Sequence, residues 1–171
     1  MENFTNTAID TTQLPRFEEV QFSKLHPNYW KVILINTAIT FLVLATAIGF
    51  VFYFNEEIRD FKIYFGIGFG ILVFLTTFFS RIGFKKRGFA FREHDVLFQN
   101  GIIATKTIVI PYNRVQHVAL HEGLVSRYFG LAKVEIFTAG GSSSDIEIPG
   151  IEKEQAENIK QLLMGKIQKQ L

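Results

Sequence analysis

The sequence predicts a membrane α-helical hairpin of two transmembrane helices, followed by a mainly β domain: a curved antiparallel sheet closed by a C-terminal α-helix. Three observations predict it. No residue from Val32 to Phe54 is charged. A second apolar run, Ile63 to Phe79, follows after only a short charged turn. Beyond Arg87 apolar and polar residues alternate with a period of two, the signature of half-buried strands.

The chain has 171 residues, room for one modest domain and one further unit. Residues 1–25 are polar (Thr5, Asn6, Thr7, Thr11, Thr12) and without clear periodicity, so a mobile tail is expected there. A secretory signal would carry its apolar core much earlier, and the first helix is therefore expected to be an uncleaved anchor.

Residues 26–84 form the predicted hairpin. His26-Pro27-Asn28-Tyr29-Trp30-Lys31 reads as a membrane boundary, since Tyr and Trp favour the headgroup zone. The first helix, about residues 32–54, would be about 34 Å long, enough for a hydrocarbon core of about 30 Å with some tilt. So small a chain could not cover a helix apolar on all sides, which argues against a buried soluble helix. Asn55 to Lys62 supplies the turn, and the second helix, about residues 62–82, must run antiparallel beside the first. Ala45 with Gly49, and Gly66 with Gly70, are small residues four apart that allow close helix approach, within the hairpin or between copies.

Lys/Arg bias sets the expected orientation. The turn holds Arg59 and Lys62 beside three acids, whereas Arg16, Lys24 and Lys31 precede the hairpin and Arg81, Lys85, Lys86 and Arg87 follow it. Both flanks are expected in the cytoplasm of a cell whose inner membrane the hairpin crosses twice. Arg81, Lys85, Lys86, Arg87 and Arg92 form the expected basic membrane interface, where each residue near an anionic surface contributes about 1 kcal/mol.

Residues 85–171 form the predicted β domain. Strands are expected near Gly88–Arg92, Val96–Gln99, Ile102–Pro111, Val115–Leu120, Lys133–Thr138 and Asp145–Ile148. Asn100-Gly101 between apolar runs signals a two-residue hairpin, and Ala139 to Ser144 a second hairpin loop. The last element is a helix over about residues 152–169, with Ala156, Ile159, Leu162, Leu163 and Ile167 as its apolar stripe and Gly150 at its start.

Several chemistries find no support. Without cysteine there is no disulfide, thiol catalysis or cysteine metal site. A net charge of +2 with no long basic block does not suggest nucleic acid. His117 and His121 would lie about 13 Å apart on a strand, too far for one ion. The Gly140 to Ser144 loop returns into a strand instead of opening a helix, so it reads as a hairpin and not a phosphate cradle. No clustered acid, base and nucleophile suggests an enzyme, and no cofactor is expected.

Three blocks carry a resemblance. Ile110-Pro111-Tyr112-Asn113-Arg114-Val115-Gln116-His117-Val118, then Arg127-Tyr128-Phe129-Gly130-Leu131-Ala132, then Phe137-Thr138-Ala139-Gly140, resemble the bacterial pleckstrin-homology-like membrane proteins of the YdbS type. The likeness runs from about Pro27 to the C-terminus and includes the paired helices; Val115 stands where that family usually has Ile. Its motif positions here are Pro111, Arg114, Gln116, Arg127, Gly130, Leu131, Thr138 and Gly140. The resemblance implies a pleckstrin-homology-like barrel of about seven strands with a C-terminal helix at one end, no catalysis, and an accessory or interaction role at the membrane. Besides the bilayer, the implied partner is another membrane protein, such as a longer relative with several such domains, or a second copy. The alternative is an anionic-headgroup binding module. Arg114 and Arg127 are expected to tie the sheet to the segment Val125–Phe129, with anion binding as their alternative role.

Overall fold

The computed structural model describes residues 19–57, 59–139 and 145–168. Two long helices come first, α1 (Tyr29–Phe54) and α2 (Lys62–Lys86), joined through a 3-10 turn at Arg59–Phe61. Each is long and apolar enough to cross a membrane. Both outrun the apolar runs that predict them: Tyr29-Trp30-Lys31 extends α1 at one end, and Gly83 to Lys86 extends α2 at the other.

The helices are zipped by edge-to-face aromatic pairs, Phe41 with Phe69 (ring centroids 5.5 Å) and Phe52 with Phe65 (5.3 Å). The small residues do not do this. Gly49, Gly66 and Gly70 each have open space where a side chain would begin, and Ala45 is exposed. Close approach within this hairpin is therefore not their role.

Among the described residues the β domain has seven strands in two antiparallel sheets. The first sheet runs β1 (Ser23–Lys24), β2 (Gly88–Phe91), β3 (Asp95–Asn100), β4 (Lys106–Pro111) in spatial order; the second runs β5 (Val115–His121), β6 (Leu131–Thr138), β7 (Ile146–Glu152). A five-residue helix, α3 (Leu124–Tyr128), sits between β5 and β6, and α4 (Lys153–Gln168) packs on the second sheet. One core joins them: Phe89, Val96, Phe98 and Ile110 from one sheet, Val134, Ile136, Ile146 and Ile148 from the other, and Ala156, Ile159 and Leu163 from α4. Leu162 is 45% exposed and lies off the stripe.

Three local readings are corrected. The tail expected over residues 1–25 already contains β1, where Ser23 pairs with Phe89 and Lys24 with Gly88, and Leu25 is buried in the core; two residues are too few to show a period. Residues 1–18 of that tail lie outside the described residues. Asn100-Gly101 does not close a two-residue hairpin. β4 starts only at Lys106, and Gly101 takes φ +132° with Ala104 O 1.9 Å from where a Cβ would stand, so only glycine fits there. The segment containing Arg127 is helical (α3). Gly150 belongs to β7, not to a helix start, and takes φ +63° there. The Gly140 to Ser144 loop lies outside the described residues.

Strand pairing gives the domain two ends. Gly88, Asn100, Lys106, His121, Leu131 and Gly150 lie at the helix-proximal end, since β2 leaves α2 directly and Gly150 touches Tyr29. Arg92, Pro111, Val115 and Thr138 lie at the distal end. α4 starts proximally, where Lys153 N donates to Gly130 O, and finishes distally, where Lys166 Nζ donates to Glu93 O at 2.9 Å.

Candidate membrane interface and edge groove

The proximal end carries most of the sequence-predicted basic residues. The Arg81 guanidinium lies 4.7 Å above the Trp30 ring and 5.7 Å from that of Phe84, joining both helices in a cation–π layer. Lys86 Nζ donates to Ile102 O at 2.6 Å, pinning the β3–β4 loop to the end of α2. Lys85 is exposed, and Arg87 shares a cavity with Tyr29.

Arg92 does not belong to this group. Four residues of β2 carry it about 13 Å away from α2. There it grips Asp95 with two charge-assisted bonds, Nε to Oδ1 at 2.6 Å and Nη2 to Oδ2 at 2.5 Å. Its carbonyl accepts the Tyr112 hydroxyl at 2.6 Å. Tyr112 is buried, and that burial, with the Asp95 charge adding and Arg92 opposing, pushes its phenol up to about 12.

The motif residues separate in the same way. Pro111, Arg114 and Thr138 meet distally along one groove of about 470 Å³, which also exposes β4 from Lys106 to Pro111. Asp145 closes it by accepting the Thr138 amide at 3.0 Å and the Thr138 hydroxyl. Arg127, Gly130 and Leu131 lie proximally: Leu131 is buried, and Gly130 takes φ +66° and caps α3. Gln116 is exposed at a bulge where the β5–β6 register shifts between Val115 and His117. Gly140 lies outside the described residues.

The structural role expected for the two arginines is not what the fold gives them. Both side chains are exposed, and among the described residues neither guanidinium makes a hydrogen bond or ion pair. Only their backbones hold the turns, Arg114 O accepting from Ala139 N and Arg127 O from Gly130 N. The 3-10 turn at Tyr112–Arg114 and the short α3 swing these side chains outward, which strand alternation alone does not foretell.

His117 stacks on Phe137 with centroids 4.1 Å apart, and no cluster of metal-ligating side chains occurs among the described residues. Lys133 bridges Glu135 at 2.5 Å and Glu147 at 3.2 Å, and the Glu135 bond chiefly holds its ammonium above the ordinary lysine range. Tyr29, Asp95 and Asp145 organise the site without any signal in the sequence motifs.

The model of the Bacterial PH domain family matches residues 32–167. UPF0699 transmembrane protein YdbT of Bacillus subtilis is 28% identical over 145 residues, covering 84% of this chain and 29% of that protein. UPF0699 transmembrane protein YdbS of the same organism is 35% identical over 68 residues, covering 40% of this chain and 41% of YdbS. The chain thus spans well under half the length of either relative in these matches. No solved structure matches it. With two apolar helices, two antiparallel sheets, a C-terminal helix and a family match over most of its length, this chain belongs to the bacterial PH domain family of membrane proteins.

Proposed function

We propose that this protein is a non-enzymatic, membrane-anchored interaction module that binds an extended segment of another membrane protein along β4. The observation that carries the reading is the edge. β4 is the last strand of its sheet among the described residues, and its open side borders the groove where Pro111, Arg114 and Thr138 meet. An added strand would take main-chain hydrogen bonds from Thr107 to Ile110, and side-chain pockets would select the sequence. Lys106 and Pro111 at the two ends discourage indiscriminate edge pairing, while Val109 stays 43% exposed between them. Arg114 supplies a charge that could fix the register of an acidic residue on the partner.

In this reading the hairpin crosses the inner membrane twice, the turn at Asn55 faces outward, and the β domain is cytoplasmic. The Lys/Arg bias supports that orientation. A photo-crosslinking amino acid at Val109 in native membranes is the test. It should give a discrete adduct that Glu93, exposed at the distal turn, does not. The same adducts from both positions, or none from Val109, would refute the edge reading. Anionic-headgroup binding is the second reading, favoured by the exposed Arg127 beside the proximal basic residues.

A further inference from the structure

Three of the most exposed apolar side chains in the β domain are Ile103 (94%), Leu124 (91%) and Tyr128 (85%). They come from two unrelated segments, the β3–β4 loop and α3. Single exposed apolar residues are ordinary on a soluble surface. These three share a location: both segments are at the helix-proximal end, one beside α2 and the other beside α1.

Their depth can be read from the helices. Ile102 reaches Gly83, where an added Cβ would stand 3.6 Å from its Cγ1, and Gly83 lies three residues inside the end of α2. Lys86 holds the loop there through the Ile102 carbonyl, and Ile103 follows as the unsupported tip. A cleft of about 770 Å³ between this loop and α2 extends as far as Thr76 and Phe79, residues of the spanning segment. On the other side, the Phe129 ring next to α3 lies 5.9 Å from Lys31 Nζ, in the first turn of α1. Lys31 in the first turn of α1, Lys85 in the last turn of α2 and Arg127 in α3, all exposed, lie at this same end.

We infer that Ile103 on one side of the hairpin, and Leu124 with Tyr128 on the other, insert into the headgroup–acyl boundary of the leaflet that α1 and α2 leave. The occupant of this surface is lipid, because the surface continues directly from helices that already stand in lipid. Apolar tips with basic side chains at the same end suit that boundary, the tips burying apolar area and the cations meeting phosphates. The two prongs straddle the hairpin, so insertion holds the domain flush on the bilayer and points the β4 groove along and away from the membrane. The inference goes beyond the edge-binding proposal and does not depend on it.

The chain has no cysteine, so single cysteines label uniquely. In full-length protein reconstituted into vesicles of mixed zwitterionic and anionic phospholipid, an environment-sensitive fluorophore is placed in turn at Ile103, Leu124 and Tyr128. Leu42, exposed in the middle of α1, is the lipid reference, and Glu93 the aqueous one. The three sites should be quenched by brominated acyl chains, as Leu42 is, and shielded from iodide, unlike Glu93. Iodide accessibility equal to that of Glu93 overturns the inference. Shielding from iodide without quenching by brominated lipid also overturns it, since protein would then cover the prongs. Because all three positions are exposed, labelling leaves the fold intact. Ile103→Asp and Leu124→Asp should raise iodide quenching at Tyr128 while Glu93 stays unchanged; no rise would show that Tyr128 does not share one inserted surface with them.

Discussion

The ring of Tyr29 lies on the backbone of Gly150 so closely that a Cβ at Gly150 would stand 2.3 Å from Tyr29 Cγ. His26 N, three residues earlier, donates to Gly150 O at 2.9 Å. The first residue of a spanning helix is thus seated on β7, and with Leu25 in the core the hairpin and the β domain share one hydrophobic interior. Gly150→Ala should therefore act at the junction. Its φ of +63° costs about 1–2 kcal/mol with any Cβ present, and overpacking the ring costs about 1–3 kcal/mol more. Thermal unfolding in detergent should show the combined loss. In a Tyr29→Ala background the same substitution should cost only the backbone part. Equal costs in both backgrounds would show that the two residues do not touch.

That contact marks where sequence reading stops. The helices are legible because a charge-free run of more than about 17 residues is too long for a core strand and too apolar for a surface helix. The sheet is legible because short apolar runs bounded by turn residues recur from Gly88 onward and alternate clearly along β6, although β2 and β3 bury consecutive residues, Gly88 to Ala90 and Val96 to Phe98. Gly150 offers only a glycine before a helical pattern, which helix-start chemistry accounts for equally well. β1 is invisible because its two residues are held by pairing with Gly88 and Phe89, about 65 positions away. The motif blocks locate Pro111, Arg114 and Thr138, yet nothing local could show that they meet in a groove or that Arg114 and Arg127 turn outward.

The hairpin prediction follows from the aromatic zipper. Lipid tails are as apolar as the helices, so association rests on packing. Phe69→Ala should weaken the hairpin by about 1 kcal/mol through loss of the Phe41 pair. Gly70→Leu should change hairpin stability by no more than about 0.5 kcal/mol, since nothing lies within 4 Å of its added Cβ. Steric-trap or detergent unfolding measures both. A large effect of Gly70→Leu on monomeric protein would contradict the helix faces described above.

Orientation is tested with the same cysteine-free chain. A cysteine at Asn55, in the exposed turn, should react with an impermeant thiol reagent in intact cells. One at Glu93 should react only after permeabilisation, because the β domain is proposed to face the cytoplasm. The reverse pattern would invert the proposed topology.

The distal end carries a pH dependence of its own. Tyr112 is 2% exposed, donates its hydroxyl to Arg92 O, and has its phenol pushed up to about 12 from an ordinary value of 10.0, mainly by burial. Between these values the unfolded chain has released the proton while the folded chain keeps it. Fewer protons are bound in the unfolded state, so stability must fall as pH rises through this window, and the contribution is fully present below pH 10. Two pH units correspond to about 2–3 kcal/mol at the upper limit. Tyr112→Phe should cost about 1 kcal/mol near neutral pH, from the lost hydrogen bond, and should remove this alkaline loss. Denaturation of both proteins below pH 10 and near pH 12 is the measurement, with the gap between them narrowing or reversing at the higher pH. Only the difference between the two proteins reports Tyr112. Parallel curves across the window would mean that the phenol is not enclosed between Arg92 and α4.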